Sequence, residues 1–291
     1  MTDNVHIHWF RQDLRLTDNP ALSQAAQDAK LICVYIDEDN DPLPRGGASR
    51  WWLQQSLQQL NDALDGNLQV FKGNAADILT TLAQQTAAKK ITCSKRFTPQ
   101  HMQLDSDTAA QLEEQGYYLE SHNGSLLAEP HTVLKPDGQP YKIFTAYNKR
   151  AMANMVVPFP IAAPAMQFST FKAANAIDTK AVINANKQPW HKTLTEHCEP
   201  GEQAAKSALA EFLQQQLETY HPNRDFPNKM ATSGMSAHLH FGEISPRQIW
   251  HASVQSAGFE ASFAFLRQVM WREFSYYQLY HFPDLANSPL K

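Results

Sequence analysis

WFRQDLRLTDNPAL, at residues 9–22, is the stretch that decides the fold of this chain. It completes a short apolar run, residues 5–10, that is typical of a β-strand, and then passes through a charged turn. Asp18-Asn19-Pro20 marks the start of a helix, because Asn is a favoured N-cap and proline fits the first helical turn. A strand that leads through a turn into a helix predicts the first unit of an alternating α/β fold.

The same alternation continues beyond this stretch. The sequence predicts further strands at 31–36, 68–71, 90–93 and 117–121, and helices at 49–64, 74–87 and 100–115. Residues 31–36, LICVYI, are apolar throughout, as expected of a strand that is covered on both faces. The pattern therefore predicts an α/β fold with a doubly wound, Rossmann-like parallel sheet, which would bind ligands beyond the carboxyl ends of its strands. No G-x-G-x-x-G follows the first strand, which argues against a nicotinamide dinucleotide site there.

The second half of the sequence changes character. Prolines interrupt residues 151–201, which we expect to form a surface linker, either mobile or packed on a neighbour. Beyond the linker the spacing is helical, at 202–219, 234–240, 245–255 and 261–280. The sequence thus predicts an α/β domain over residues 1–150, a linker over 151–201, and the first part of an all-helical domain over 202–291.

Composition excludes several classes of protein. The formal net charge is −4, so the chain is not a generally basic nucleic-acid binder, although a local basic groove would be enough to attract phosphates. Cys33, Cys93 and Cys198 form no C-x-x-C pair, which indicates a reduced, cytoplasmic protein without disulfides or a zinc site. The twelve histidines show no metal-ligand spacing, so we expect no bound metal. We find neither a signal-peptide pattern nor an apolar run of membrane-spanning length, and expect no membrane partner.

Two strings resemble those of the photolyase/cryptochrome family. Residues 9–22 resemble the FRxDLRxxDNPAL string that opens its members almost letter for letter. Tyr141-Lys142-Ile143-Phe144-Thr145-Ala146-Tyr147 resembles the family's Y-x-V-F-T-x-[FY], although aromatic packing on a docking face would also explain it. The resemblance implies an α/β antenna domain followed by a helical domain that binds FAD.

A candidate FAD site follows from two further strings. Residues 220–227, YHPNRDFP, resemble the family's Y-x-x-x-R-D-x-P, and residues 232–239, TSGMSAHL, resemble its flavin-phosphate signature T-S-x-L-S-x-x-L. Three hydroxyl groups beside a helix start suit a diphosphate, while simple N-capping is the alternative interpretation. By resemblance, the residues that hold FAD are Tyr220, Thr232, Ser233, Gly234, Met235, Ser236 and Phe265.

A candidate DNA-binding surface lies on the last predicted helix. Residues 265–274, FLRQVMWREF, resemble the family's F-L-R-[EQ]-x-x-W-R-E-F. Gln268 and Trp271 are three residues apart and share a helix face, where a carboxamide and an indole would suit an extruded base. A buried Trp with a satisfied neighbour is the alternative. By resemblance, Arg224 and Arg272 face the DNA as well. Many dimer-repairing members carry Glu at the position of Gln268, which leaves the lesion type open.

The resemblance implies a function as well as a fold. The expected function is light-dependent DNA repair, in which reduced FAD transfers an electron to a cyclobutane pyrimidine dimer in UV-damaged DNA and the ring splits. A cryptochrome-like blue-light signalling flavoprotein without repair activity is the alternative, and a nonfunctional fragment is a third possibility. We assign no catalytic side chain and expect a monomer. Members of the family continue with T-G-[YF]-P and N-W-R-M segments that are absent before Lys291, so we expect the chain to be C-terminally truncated.

The second, antenna chromophore is left open by the sequence. Folate-using relatives carry an Asn-Glu pair on the helix after the fourth strand, and here Gln100 and His101 align with that pair. A neutral imidazole offers one acceptor where a carboxylate accepts two N–H bonds from a pterin. We therefore expect that folate is not bound in the usual way, and that the α/β domain is empty or holds another chromophore such as a deazaflavin.

Overall fold

The first part of the chain is a five-stranded parallel sheet in the order β3-β2-β1-β4-β5. The computed structural model describes residues 4–182 and 189–290. The strands are β1 (Val5–Phe10), β2 (Lys30–Glu38), β3 (Leu68–Gly73), β4 (Lys90–Ser94) and β5 (Tyr118–His122). On β2, Ile32, Val34 and Ile36 join the core on one face of the sheet, while Leu31, Cys33 and Tyr35 join the core on the other. This alternation is why the whole run is apolar, and it confirms the predicted α/β fold.

Helices connect the strands as the sequence predicts. They are α1 (Pro20–Ala25), α2 (Gly47–Ala63), α3 (Ala75–Thr86) and α4 (Pro99–Glu114). The Asn19 side chain caps α1 by accepting a hydrogen bond from the Leu22 N–H, and Pro20 occupies the first helical position. Asn74 caps α3 in the same way, through the Asp77 N–H. These caps provide a hydrogen-bond acceptor for an N–H group in the first turn, and so fix where each loop ends and each helix begins.

The α-helices after β5 lie within and on either side of the largely irregular linker. They are α5 (Phe144–Asn154), α6 (Trp190–His197), α7 (Glu202–Gln215), α8 (Tyr220–Asn223), α9 (Met235–Phe241) and α10 (Pro246–His281). The helices predicted at 245–255 and 261–280 are both present within α10, and they are separated by Gly258, whose φ of 79° and ψ of 166° are not helical. Ser245 and Gln248 form a capping box at its start.

Three helices, α5, α6 and the short α8, were not expected from the sequence. Helix α5 buries Phe144, Tyr147 and Ala151, whose spacing is helical, but we had interpreted this stretch only as an aromatic docking face. Helix α6 buries no residue, so it has no apolar stripe that could reveal it. The helix predicted at 202–219 is correct in type but ends earlier, at Gln215.

The linker packs on the α/β part over much of its length. Phe168 forms a parallel bridge with Leu31, and Ile177 forms an antiparallel bridge with Val70, so the segment adds backbone pairing along the sheet. Residues 183–188 of the expected linker lie outside the described residues. Upstream of the linker, Phe144 and Tyr147 belong to the hydrophobic core of the helical part. By packing, this stretch therefore belongs with the helices, although the sequence analysis places it before residue 150.

The charged turn after β1 joins the two parts of the molecule. Arg15 is buried and donates hydrogen bonds to the carbonyl oxygens of Gly242, at 2.9 Å, and of Gly124, at 2.6 Å. Asp18 accepts a hydrogen bond from the Arg247 guanidinium at 3.0 Å and another from the Ser245 hydroxyl. The turn within residues 9–22 thus forms the surface on which α9 and α10 dock.

Glu243 completes this docking surface from the helical side. Its buried carboxylate accepts hydrogen bonds from the Trp52 indole at 2.9 Å, the Gly201 N–H at 2.7 Å and the Ser56 hydroxyl. The His238 imidazole lies 2.5 Å from the same carboxylate. A buried carboxylate needs this many donors, because each unpaired oxygen would be costly in the interior.

Candidate functional site

A groove of about 350 Å³ opens between α8 and the second half of α10. Its walls are His221, Arg224, Asp225, Phe263, Ala264, Arg267, Gln268 and Trp271. The structure thus brings together three of the four residues predicted to face DNA. Two arginines and one aspartate line the groove, so it is locally basic although the whole chain carries a net charge of −4.

Trp271 is the most prominent wall of this groove. Its side chain is 42% exposed, which is unusual for a Trp in the middle of a long helix packed on a core. One face of the indole lies on the ring of Phe144, with centroids 3.7 Å apart and planes 11° from parallel. Solvent therefore reaches the indole from the groove side, as a stacking platform requires.

Arg224 follows the last residue of α8 and lines the groove. Its Nη1 donates to the Tyr220 hydroxyl at 3.4 Å, its guanidinium lies over the Tyr220 ring at 5.5 Å, and its Nε is 3.3 Å from the Asp225 carboxylate. Burial raises the pKa of Tyr220. These contacts engage Nε and Nη1, so the N–H groups of Nη2 can meet a phosphate.

Arg272 does not join the groove, in contrast to the other residues predicted to face DNA. Its guanidinium donates to the Ser125 carbonyl oxygen at 2.8 Å and lies 3.2 Å from the Glu273 carboxylate. Adjacent helix residues point about 100° apart, so Arg272 cannot share the face of Trp271. Its proximity to DNA stays a prediction, whereas the structure shows a contact with the loop after β5.

Sequence reasoning missed Phe263 and Arg267, which line the same groove. A signal was available, because Phe263, Arg267 and Trp271 are four residues apart and therefore lie on one face of α10. The Arg267 guanidinium also lies over the Phe144 ring, at 5.6 Å. The groove therefore carries a second exposed cation beside the stacking surface.

The predicted phosphate-binding string lies at the start of α9. Thr232 and Ser236 are exposed, Ser233 is half-buried, and Gly234 adopts a left-handed conformation with φ of 67° just before the helix. The Met235 N–H donates to the Ser233 hydroxyl at 3.4 Å, and the first turn of a helix leaves further N–H groups without helical partners. The hydroxyls and N–H donors therefore lie together on one turn, and their binding of a diphosphate stays a prediction.

The other residues predicted to hold FAD are buried. Met235 and Phe265 are only 3% and 4% exposed and belong to the helical core. Tyr220 packs edge-on against Phe265, with centroids 5.5 Å apart. These three side chains belong to the same hydrophobic core, and their direct contact with a cofactor stays a prediction.

Part of the crevice beyond the carboxyl ends of β1 and β4 is occupied by the protein's own side chains. Arg11 donates to Asp105 at 2.5 Å and to the Ser94 carbonyl, while Arg96 bridges Asp105 and Glu38, the latter at 2.7 Å. Both guanidinium groups lie over the ring of Trp9. The switch point of a doubly wound sheet is where ligands usually bind, and this network occupies part of that position.

An open cavity of about 420 Å³ lies beside this network. Phe97, Met102, Glu129, His131 and Tyr280 contribute to its walls. His101, which aligns with the folate-binding carboxylate of relatives, points elsewhere: its Nδ1 is 2.6 Å from the Thr98 hydroxyl and its Nε2 is 3.1 Å from Asp41. Both ring nitrogens are engaged within the protein, so His101 offers no partner to a pterin.

Within residues 4–182 and 189–290, no three His, Cys, Asp or Glu side chains gather closely enough to hold a metal ion. In the same described ranges, every helix is too short or too polar to cross a membrane.

Comparison with known proteins relates this arrangement to a family. The sequence profile of the family described as DNA photolyase matches residues 6–165. The deoxyribodipyrimidine photo-lyase of Agrobacterium fabrum is 36% identical over 289 residues, an alignment that covers 96% of this chain and 60% of that protein. Cryptochrome-2 of Arabidopsis thaliana is 32% identical over 302 residues and is covered to 49%. The chain thus spans about three fifths or less of these relatives.

Solved structures give the same result. A bacterial class III photolyase from Agrobacterium tumefaciens superposes with a TM-score of 0.92 at 32% identity, over 99% of this chain and 61% of that one. A cryptochrome from Synechocystis superposes with a TM-score of 0.84 at 21% identity, which shows the common fold.

Proposed function

This chain belongs to the DNA photolyase family, and on that premise we propose that it acts in light-dependent repair of cyclobutane pyrimidine dimers. The observation that carries the proposal is the exposed indole of Trp271 in a basic groove beside Gln268 and Arg224. A flat hydrophobic face next to a hydrogen-bonding amide suits a base that has left the duplex, and enzymes that act on a base in duplex DNA must extrude it first.

FAD is the cofactor that we propose for the helical part. The exposed hydroxyls of Thr232 and Ser236 and the N–H groups at the start of α9 fit the diphosphate of that cofactor. Ser233 and Gly234 shape this turn, while Tyr220, Met235 and Phe265 support it from the core. When bound and reduced, the flavin would supply the electron that opens the dimer, and the protein's task is to hold and orient the reactants.

The side chains of the groove have distinct tasks in this proposal. Trp271 presents a flat face on which the flipped dimer stacks, and Gln268 hydrogen-bonds to a base edge. Arg224 and Arg267 neutralise backbone phosphates, which positions the duplex without reading its sequence. Because Gln268 is a neutral amide, it orients the base but carries no charge toward it.

A cryptochrome-like signalling role is the second candidate, and Gln268 is the observation that favours it. Many dimer-repairing relatives carry Glu at this position, and Cryptochrome-2 of Arabidopsis thaliana is 32% identical to the chain. The two candidates differ in a measurable property, because only a repair enzyme requires a groove that prefers damaged to undamaged DNA.

Binding of two matched duplexes tests the proposal. One duplex carries a single thymine dimer and a fluorescent label, and the other is identical but undamaged. Titration with the purified chain, followed by fluorescence anisotropy in the dark, measures both affinities at one salt concentration, because phosphate contacts make affinity depend on salt. We expect tighter binding of the damaged duplex. Equal affinities would contradict the repair function and support the signalling alternative.

A further inference from the structure

The string Tyr141–Tyr147 has no task in the function proposed above, yet one of its residues packs against two residues that line the groove. Phe144 is the first residue of α5, and its ring is only 4% exposed. It comes from a segment more than a hundred positions before Trp271 in the sequence, so the two rings meet only because α5 packs across α10.

The contact between Phe144 and Trp271 is a face-to-face stack. The ring centroids are 3.7 Å apart and the planes differ by 11°. Phe274 packs edge-on against Phe144 at 5.7 Å and against Trp271 at 6.0 Å, which holds the pair from the core side. With one face covered and one edge blocked, the indole has little freedom to rotate about its side-chain bonds.

Phe144 also lies beneath the second cation of the groove. The Arg267 guanidinium is 5.6 Å from the centre of its ring, within the range of a cation–π contact. One buried ring therefore supports both the stacking surface and a charged group beside it. An exposed Trp without such backing would sample several rotamers, and a flipped base would have to select one of them on binding.

We propose that Phe144 is a positioning residue, which fixes the plane of the Trp271 indole so that its free face is ready to stack on an extruded base. The proposal rests on the function proposed above, since it concerns the same groove. Phe144 itself touches neither base nor cofactor in this scheme and acts through Trp271.

The variant Phe144→Leu tests this role, because it keeps an apolar side chain but removes the flat ring. The same two duplexes, damaged and undamaged, serve as ligands. We expect binding of the damaged duplex to weaken by roughly three- to tenfold, about the effect of one lost aromatic pair. Binding of the undamaged duplex should be unchanged. The control is Phe71→Leu, which truncates a buried ring in the sheet core, away from the groove.

A second measurement follows the indole itself. In NMR spectra of protein with 15N-labelled Trp, the Trp271 signal is assigned by its loss in Trp271→Phe. Stacking on Phe144 should shift this signal by ring current in the parent, and Phe144→Leu should remove the shift. If the Leu variant fails to fold, Phe144→Met fills the same space with a flexible side chain and is measured instead.

The outcomes separate the two proposals. A parent that prefers the damaged duplex, together with a Leu variant that keeps this preference, would overturn the role of Phe144 alone. A parent with no preference would overturn the proposed function, and the role of Phe144 with it. Loss of the preference in both Phe144→Leu and Phe71→Leu would show that general instability causes the effect. That result would also contradict the positioning role of Phe144.

Discussion

Gly242 lies so close to the backbone of Gln12 that no side chain fits between them: a Cβ atom on Gly242 would stand 2.0 Å from the Gln12 carbonyl oxygen. Gly242 also adopts a φ of 70°, which residues with a side chain rarely accept. Next to it, the Leu14 N–H donates to the Phe241 carbonyl at 3.2 Å. The close approach lets the turn after β1 and the end of α9 meet backbone to backbone.

Gly242→Ala should therefore destabilise the protein strongly. Forced separation of two backbones adds to the cost of a left-handed alanine, and we expect a loss of about 2–5 kcal/mol in the free energy of unfolding. Urea denaturation followed by circular dichroism measures it. Gly116→Ala is the matched control, because Gly116 has a φ of 78° but open space around its Cβ position. Equal losses in the two variants would show that the contact with Gln12 is unimportant.

Glu273 should make stability depend on pH near neutrality. Its carboxylate accepts a hydrogen bond from the Leu127 N–H at 2.7 Å, and burial raises its pKa to about 7 despite the neighbouring Arg272. The folded state therefore binds a proton that the unfolded state has already lost above its usual pKa of 4.5. Stability should fall as pH rises from about 4.5 to about 7, by up to about 3 kcal/mol, and should level off above that window.

Unfolding curves recorded at several pH values check this dependence. Glu273→Gln cannot titrate, so its stability should vary much less across the same window. Glu211→Gln, which removes an exposed carboxyl group from α7, should keep the profile of the parent. A parent whose stability rises steadily from pH 5 to pH 7 would contradict the sign of the effect.

Strand β2 was the most predictable element of the sheet, because it contains an apolar run at residues 31–36. Burial on both faces makes the whole run apolar, and this signal requires no knowledge of its neighbours. Helix α6 gave no such signal, since none of its residues is buried and its position depends on contacts such as that of Trp190 with Gly47. Helix α5 was missed for a different reason, because it buries Phe144, Tyr147 and Ala151 in the helical core but its spacing was interpreted as an aromatic docking face.

The groove was predictable only in part. The resemblance and helical spacing together selected Gln268 and Trp271 correctly for one face of α10, and the same spacing would have selected Arg267 instead of Arg272. The stack of Phe144 on Trp271 was not predictable, because it depends on how α5 crosses α10.

The contacts between the sheet and the helical part were not predictable either. The hydrogen bond from Trp52 to Glu243 joins residues 191 positions apart, and no local pattern encodes such a pair.

The two ring nitrogens of His101 are engaged by Thr98 and Asp41, which bears on whether the α/β part binds a folate antenna. We expect that the protein purified from its own host releases no folate, because the position of the pterin-binding carboxylate holds an imidazole committed to internal contacts. An absorption spectrum and mass analysis of released chromophores measure this. Folate released in a one-to-one ratio with protein would contradict the prediction. A different chromophore would agree with it.

FAD binding should be weak for the chain of 291 residues taken alone. The string Thr232–Ser236 offers hydroxyls and N–H groups, but Thr232 and Ser236 are exposed, so a bound diphosphate would remain largely in water. A cofactor buried on one side only gains little to offset its lost freedom. Gel filtration after incubation with FAD tests this through the flavin absorbance of the protein peak. A stoichiometric, yellow protein peak would show the prediction to be wrong.

Trp271 and Arg224 should affect DNA binding in different ways. In a protein extended to the length of its relatives, Trp271→Ala should weaken binding of dimer-containing DNA by about 1–3 kcal/mol, the contribution of one stacked base, and leave undamaged DNA almost unaffected. Arg224→Ala should weaken binding of both and reduce the dependence of affinity on salt, because it removes a phosphate contact. Trp190→Ala is the control for loss of an exposed indole, since Trp190 is 39% exposed on α6, outside the groove. Equal losses on damaged and undamaged DNA for Trp271→Ala would remove its role as the stacking platform, because an interaction with an extruded base exists only where a base has left the helix.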